Sequence, residues 1–283
     1  MYKKPAFLKH FLLGLLFCLC IGCTTLASKQ QIKPQQDIQK TVFDVSQQRY
    51  IQIDDLVDQL AESKIILIGE KHTEKKHHQA QLRLITMLEE RSLISSIALE
   101  MFPSTAQTDL NRAQTVIRRQ PAISDHEIAA QLDWDSKWDW TQYRTLITYL
   151  SRSNINIYGA NLSREEINIL LQGAYPLLGE KSTTTKVKQA IRTLIAESHA
   201  IDHSDPLIDR LVEIQQFKDR RMAETLLKNN KPILFIGGLH HIRKSIGVPL
   251  HLAEYLESHY KVIAMVESLS DIEMNDADYI WVL

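Results

Sequence analysis

Two short segments of the chain share the pattern Gly-x-x-His, and each follows a run of apolar residues. The first contains Glu70 and His72, and the second contains His240 and His241. Imidazole and carboxylate groups can ligate metals or act as general acids and bases. The glycine lets the chain turn where a side chain would clash, and it lets a bulky ligand approach the backbone. Each pattern alone is weak, but its repetition after two apolar runs predicts a shared site.

Two further polar residues stand at the ends of apolar runs. Glu100 ends the run at residues 96–100, and Asn161 follows the run at residues 156–160. In an open parallel α/β sheet, ligands bind outside the carboxyl ends of the strands. We therefore predict that Glu100, Asn161 and both Gly-x-x-His segments face one pocket.

Short apolar strands that alternate with amphipathic helices must position these residues. The strand runs are continuous in Ile, Val and Leu rather than alternating, which indicates burial on both faces. The pattern predicts an α/β fold with a mostly parallel sheet flanked by helices. Three tryptophans after the second strand predict a helical insertion or lid that uses them for packing. The predicted strands are residues 64–69, 96–100, 156–160, 231–236, 261–265 and 279–283.

Four other polar residues carry weaker signals. His77 and His78 follow two lysines at the start of a predicted helix, so we expect them on its solvated face. Arg220 and Arg221 lie late in a long amphipathic helix. Either arginine could pair with a carboxylate of the site or of a ligand, or form a surface ion pair; the sequence leaves both alternatives open.

The N-terminus has the order of a bacterial secretion signal: three lysines, an apolar run at residues 11–21 and a small residue before Cys23. The run is shorter than the roughly 20 residues that span a membrane. Cys23 after Gly22 resembles a lipobox, which predicts cleavage before Cys23 and its lipidation; the alternative is an ordinary cleaved signal. We predict a signal peptide at residues 1–22, a flexible tether at 23–44 and one domain at 45–283.

The cysteine positions and the net charge limit which ligands and partners the domain can have. All three cysteines, Cys18, Cys20 and Cys23, lie in the signal region, so no disulfide is expected within the domain and any metal there must use nitrogen or oxygen ligands. The net charge is −1 and no basic block is present, so we expect no nucleic-acid partner.

The chain resembles the ChaN family of haem-binding lipoproteins, which shares a superfamily with the Tiki proteases, TraB-type proteins and erythromycin esterases. The resemblance implies that the domain binds haem (iron protoporphyrin IX) at a homodimer interface and takes part in iron acquisition. An outer-membrane haem or iron receptor would then be a partner. The matching segments are residues 68–72, 98–102, 160–161, 219–223, 238–252 and 277–281.

The family pattern also suggests which residues hold haem. Its haem-ligating residue is a tyrosine directly before the histidine of the second motif, and His240 occupies that position here. Tyrosinate favours ferric iron, whereas imidazole serves both oxidation states. Arg243 or Lys244 would lie near the propionates. The residues that the resemblance implies for haem binding are His240 and His241 as iron ligands, with His72, Glu70, Glu100, Asn161, Arg243 and Lys244 around them.

Two alternatives remain open. In a hydrolase, with or without a metal, Glu70 would act as general base, His72 as its partner, and Glu100 with His241 as a metal-binding or orienting pair. A lipoprotein that only docks another envelope protein would need none of these residues. Because Thr24 rather than Asp follows Cys23, the sequence predicts an exported protein held at the outer membrane by its lipid anchor only.

Overall fold

The structure is a computed structural model that describes residues 42–283 apart from residues 203 and 230. The predicted signal peptide, Cys23 and the tether up to residue 41 lie outside the described residues. Residues 42–44, which the sequence analysis places at the end of the tether, form a strand instead. A three-residue strand carries too little periodic signal to be recognised from its sequence.

The described residues form eight strands and ten α-helices. The strands are β1 (Val42–Asp44), β2 (Arg49–Ile51), β3 (Ile65–Glu70), β4 (Ser96–Pro103), β5 (Asn156–Asn161), β6 (Ile233–Gly238), β7 (Tyr260–Val266) and β8 (Tyr279–Val282). The helices are α1 (Ile53–Leu60), α2 (Lys75–Glu90), α3 (Gln107–Arg119), α4 (Asp125–Gln131), α5 (Trp140–Arg152), α6 (Arg164–Gln172), α7 (Thr185–His199), α8 (Leu207–Leu227), α9 (Leu239–Ile242) and α10 (Val248–Glu254).

The strands form one sheet in the order β2-β1-β8-β7-β3-β6-β4-β5. The six strands from β8 to β5 run parallel to their neighbours, whereas β1 is antiparallel to both β2 and β8. The predicted α/β class with a mostly parallel sheet is therefore confirmed. Because parallel strands end at the same edge, the loops that follow β3, β4, β5, β6 and β7 lie side by side.

Helices cover both faces of the sheet, as the apolar strands predict. All six residues of β3 are buried. Ile66 and Ile68 belong to the core that contains α1 to α5, whereas Ile65 and Leu67 belong to the core that contains α8 and α10. Successive side chains of a strand point to opposite faces, so a strand between two helical layers must be apolar throughout.

The predicted helical insertion is present between β4 and β5 as α3, α4 and α5. Trp134 and Trp140 pack partly buried against the core, and Trp138 is buried. The Trp134 and Trp140 ring centroids lie 5.3 Å apart in an edge-on arrangement. The tryptophans therefore serve packing, as the sequence analysis expects.

Two glutamine side chains of α3 cover the outer edge of β5. Gln107 Oε1 accepts from the Gly159 N–H at 3.1 Å, and its Nε2 donates to the Ile157 carbonyl at 2.9 Å. Gln114 Oε1 accepts from the Ile157 N–H at 3.0 Å, and its Nε2 donates to the Ile155 carbonyl at 3.0 Å. The amides thus replace a neighbouring strand, which protects an edge that could otherwise pair with another chain.

The last α-helix, α10, is short and runs from Val248 to Glu254. Within the described part of the chain, every helix is too short or too polar to be a membrane span.

Candidate functional site

The ends of β3, β4 and β6 bring predicted site residues together. Glu70 is the last residue of β3, Glu100 lies in β4, and Gly238 ends β6. The pairing register of β4 with β5 shifts between Leu99 and Pro103, so Glu100 lies in an irregular part of the strand. Such irregularities re-aim a side chain out of the regular alternation. The sheet edge predicted to hold the site therefore does gather these residues.

Glu70 lies at the centre of a buried polar cluster. We call Glu70, His72, His78, Gln81 and Tyr143 the Glu70 cluster. Gln81 Nε2 donates to Glu70 Oε2 at 2.6 Å, and the Tyr143 hydroxyl donates to Oε1 at 2.5 Å. His72 Nδ1 lies 3.0 Å from Oε1, and His78 Nε2 lies 2.9 Å from Oε2. Burial alone would raise the pKa of Glu70, but hydrogen bonds from both histidines lower it to about 2.

A second cluster surrounds Glu100. We call Glu100, Asp219, His241, Gln215 and Gly238 the Glu100 cluster. The Gly238 N–H donates to Glu100 Oε2 at 2.7 Å, and His241 Nε2 lies 3.3 Å from Glu100 Oε1. His241 Nδ1 lies 2.5 Å from Asp219 Oδ1 and 3.0 Å from Gln215 Nε2. Burial alone would lower the pKa of His241, but the charges of Glu100 and Asp219 raise it to about 10. The ring is therefore an imidazolium at neutral pH.

His72 joins the two clusters and reaches the solvent. Its Nδ1 lies 3.0 Å from the Tyr143 hydroxyl, and its Nε2 lies 3.7 Å from Glu100 Oε2. The His72 side chain is 35% exposed, whereas the Glu70 side chain is fully buried. Burial acts to lower the pKa of His72, but its hydrogen bond to the Glu70 carboxylate and the charge of Glu100 raise it. His72 is thus a partly exposed member of a largely buried charge network.

The glycines of both Gly-x-x-His motifs allow close approach. A side-chain carbon on Gly238 would lie 2.9 Å from His72 Nε2 and 3.6 Å from Glu100 Oε2. A side-chain carbon on Gly69 would overlap Ile242 of α9. Larger residues would therefore separate His72 from Glu100, or β3 from α9.

A cleft of about 410 Å³ opens at the ends of the adjacent strands β7, β3 and β6. We call it the His240 cleft. His240 follows β6 and is exposed, whereas its neighbour His241 is buried. Apolar, imidazole and ammonium groups thus share one concave surface with the carboxylates of Glu70, Glu267 and Asp271, and such a mixed lining is typical of a small-molecule site. The lining includes Leu239, Met265, Val266, His72, His240 and Lys71.

Five of the predicted site residues do not line this cleft. Glu100 and His241 belong to the buried Glu100 cluster, and Asn161, Arg243 and Lys244 have other partners. Asn161 Nδ2 donates to the Glu100 carbonyl at 3.0 Å, and Asn161 lines a separate cavity of about 230 Å³. Arg243 NH1 lies 3.8 Å from Asp276 Oδ2, and Lys244 Nζ lies 2.8 Å from Asp278 Oδ1. The structure therefore assigns Asn161 a contact with the β4 backbone, and it pairs both cations with aspartates.

The prediction that His77 and His78 lie on a solvated helix face is wrong. Their exposures are 1% and 3%, and His78 contacts Glu70 within the Glu70 cluster. His77 Nδ1 accepts a hydrogen bond from the Lys71 N–H at 3.1 Å. The start of α2 is covered because it packs beside the end of β3 and against α5, where the carboxylate and backbone supply polar partners.

Four contributors to the clusters escaped the sequence analysis as site residues. Asp219 lies within a segment that carries the family resemblance, but its pairing with His241 had no sequence signal. Tyr143 lies on the apolar stripe of α5, so it is indistinguishable from a core residue by pattern. Gln81 and Gln215 lie on α2 and α8. Only the packing of these helices against the sheet ends brings them to the carboxylates and imidazoles.

Arg220 and Arg221 of α8 form pairs outside the clusters. Arg221 NH2 lies 2.7 Å from Glu166 Oε1, and Arg220 Nε donates to His251 Nδ1 at 3.1 Å. His251 is fully buried, and burial with the charge of Arg220 lowers its pKa to about 3. Of the two alternatives for Arg221, a carboxylate of the site or an ion pair elsewhere, the structure therefore supports the ion pair, with Glu166.

The two clusters predict opposite pH dependences of the stability of the apo-protein. The pKa of His241 is raised from 6.5 to about 10, so its stabilising contribution is complete below pH 6.5 and is lost as the pH rises toward 10. The pKa of Glu70 is lowered from 4.5 to about 2, so its contribution is present above pH 4.5 and is lost as the pH falls toward 2.

We expect the free energy of unfolding to fall between pH 7 and 10 by up to about 1.4 kcal/mol per pH unit. Urea unfolding across this range would measure it. The variant His241→Gln should show a flatter dependence, and an equal slope in both proteins would contradict the assignment.

Comparison with protein families shows which family the chain belongs to. The sequence profile of the family described as haem-binding uptake, Tiki superfamily, ChaN matches residues 56–252. The chain belongs to this family. Both Gly-x-x-His segments, Glu100 and Asp219 lie within the matched residues, so the two clusters fall inside the region by which this ChaN-family chain is recognised. Comparison with curated protein sequences gives no significant match.

Solved structures include a relative of this ChaN-family chain. A structure described as cofacial heme binding to ChaN of Campylobacter jejuni is 35% identical in sequence, with a TM-score of 0.80. The alignment covers 86% of this chain and 96% of that chain. An erythromycin esterase mutant in its open conformation is 14% identical over 81% of this chain and 76% of that chain, with a TM-score of 0.48. A likeness as distant as the second bears on neither substrate nor mechanism.

Proposed function

We propose that this protein binds haem in the His240 cleft and takes part in haem or iron uptake at the bacterial envelope. The observation that carries the proposal is the exposed imidazole of His240 beside an apolar wall at the ends of three adjacent strands. It occurs in a chain that is 35% identical to a ChaN protein whose structure is described as cofacial heme binding.

The chemistry of the cleft fits haem, which is an apolar macrocycle with a central iron and two carboxylates. Leu239, Met265 and Val266 supply apolar contacts. His240 supplies a nitrogen ligand, and Lys71 supplies a positive charge for a carboxylate. Bound haem would supply an iron centre, and the imidazole of His240 would hold it.

Of the two adjacent histidines, we propose His240 as the iron ligand and His241 as a positioning residue. Metal ligation needs a neutral ring with a free lone pair. His241 has carboxylates at both nitrogens, with Asp219 at Nδ1 and Glu100 at Nε2. These contacts hold the ring charged and fix the start of α9, and thereby the direction in which His240 projects.

A hemin titration of the full-length protein in detergent tests the proposal. We expect a saturable Soret band with a defined stoichiometry, because the cleft offers both a ligand and an apolar surface. Equal concentrations of hemin in detergent without protein are the control. A titration indistinguishable from that control would overturn the proposal and favour the docking-only alternative.

The envelope location rests on the first residues of the sequence. Lipidation of Cys23, export and retention at the outer membrane by the lipid alone follow from the lipobox-like segment and from Thr24. A homodimer and an outer-membrane receptor belong to the same proposal through the family. Fractionation of cells that express the wild type or Cys23→Ser tests the anchor, because only the wild type should remain with membranes washed in high salt.

One observation favours a second function, hydrolysis. The partly exposed His72 contacts the fully buried Glu70 and lies near Glu100, and such coupling of an imidazole to buried carboxylates suits general acid–base chemistry. Among the described residues, no group of three or more His, Cys, Asp or Glu side chains is arranged to hold a metal ion. Turnover of ester or amide substrates that is abolished by His72→Gln would support this function.

A further inference from the structure

We propose that Lys71 binds a haem propionate. When haem is absent, Glu267 is the ion-pair partner of the Lys71 ammonium group. The inference rests on the proposed haem-binding function and concerns the charged part of the same cleft. Among the described residues that line the His240 cleft, Lys71 is the only lysine or arginine. A carboxylate ligand in this cleft therefore meets a single lysine or arginine side chain, beside the imidazoles of the wall.

Lys71 has a fixed backbone and an accessible ammonium group. Its N–H donates to the buried Nδ1 of His77 at 3.1 Å, and its carbonyl accepts from the Glu74 N–H at 2.9 Å. The Lys71 side chain is nonetheless 56% exposed. The backbone contacts hold the residue directly after β3, while the four-carbon side chain can change partner without disturbing the fold.

The ammonium group of Lys71 already forms ion pairs with two carboxylates. Lys71 Nζ lies 2.8 Å from Glu267 Oε2 and 3.4 Å from Glu74 Oε1. Glu267 directly follows β7, is 55% exposed and lines the same cleft. The pair therefore connects the ends of neighbouring strands across the cleft opening.

A propionate can replace Glu267 because the exchange conserves the type of contact. One carboxylate leaves the ammonium group and another takes its place, so no charge is left unpaired in a buried environment. An exposed ion pair of this kind stabilises a folded protein little, so its loss hinders the exchange little. The released Glu267 carboxylate lies in water, and its N–H remains bound to Asp271 Oδ2 at 3.1 Å.

The structure favours Lys71 over the two cations that the sequence suggests for this role. The Lys244 and Arg243 side chains are 29% and 15% exposed, against 56% for Lys71, so both are less accessible to a ligand. Neither residue is in the cleft wall, within the part of the chain that the structure describes. Lys244 is thus a matched control for Lys71, because it is also an ion-paired lysine near the ends of the strands.

Titrations with hemin and with hemin dimethyl ester test the inference, since the ester keeps the iron and macrocycle but lacks the propionate charges. The full-length protein and its variants would be compared in one detergent buffer at low salt. We expect Lys71→Gln to weaken hemin binding about tenfold and to leave binding of the diester within about twofold. Lys71→Arg should restore most of the hemin affinity, and Glu267→Gln should strengthen it.

Four results would overturn the inference. Equal losses for hemin and the diester would mean that Lys71 acts on the shape of the cleft rather than on a propionate. A selective loss in Lys244→Gln but not in Lys71→Gln would assign the propionate to the other cation. A wild type that binds the diester and hemin equally would show that no cationic side chain binds the propionates. The proposed haem binding itself would still hold. A wild type that binds neither would overturn the proposed function and this inference together.

Discussion

Replacement of His240 by alanine is expected to weaken hemin binding about a hundredfold, which corresponds to about 2.8 kcal/mol. The substitution removes the exposed imidazole that we propose as the iron ligand. His72 also places an imidazole in the cleft wall, but its Nδ1 lies 3.0 Å from both Glu70 Oε1 and the Tyr143 hydroxyl. Absorbance titrations of the variant and wild type would measure the loss.

Two variants separate ligation from general effects on the protein. His259→Ala removes a histidine whose side chain is 77% exposed, so it should bind hemin as the wild type does. His241→Gln should reduce affinity by about tenfold, because it disturbs the support of α9 without removing the ligand. If His240→Ala kept full affinity and His72→Ala lost it, His240 would not be the ligand.

Replacement of Glu70 by glutamine is expected to lower the free energy of unfolding by about 3–5 kcal/mol. Glu70 is fully buried and faces donors from His72, Gln81 and Tyr143. A neutral amide removes the negative charge that these donors stabilise. Its own N–H groups would then face the donors of Gln81 and Tyr143. Urea unfolding at pH 7 would measure the change.

Glu180 provides the matched control, since it is an exposed glutamate on the same protein. Glu180→Gln should change stability by less than about 0.5 kcal/mol. A similarly small effect of Glu70→Gln would mean that water or a shift of α2 compensates for the lost carboxylate. The Glu70 cluster would then be adaptable rather than a rigid support for His72.

The sheet and the edge that carries the site were predictable because they depend on short-range patterns. Continuous apolar runs end at Glu70 and Glu100, and such runs are required where helices cover both faces of a parallel sheet. The carboxyl ends of parallel strands lie at one edge whatever the strand order is. That constraint alone was enough to group Glu70, His72, Glu100 and His241.

The roles of the histidines were predictable only in part, because burial at a helix start depends on what packs over it. His77 and His78 follow two lysines and look solvated by composition, yet both are buried. His240 and His241 are adjacent in sequence, yet one is exposed and the other lies between two carboxylates. No periodicity distinguishes them, because α9 has only four residues.

By itself, the sequence determined the α/β class, the family and the sheet edge where the polar residues gather. These properties follow from hydrophobic periodicity and from the position of residues relative to strand ends. Only the tertiary structure decided which carboxylate pairs with which histidine, that Tyr143 and Asp219 belong to the same region, and that Lys71 pairs with Glu267. Those contacts join segments far apart in sequence, so they depend on strand order and on how α2, α5 and α8 pack against the sheet.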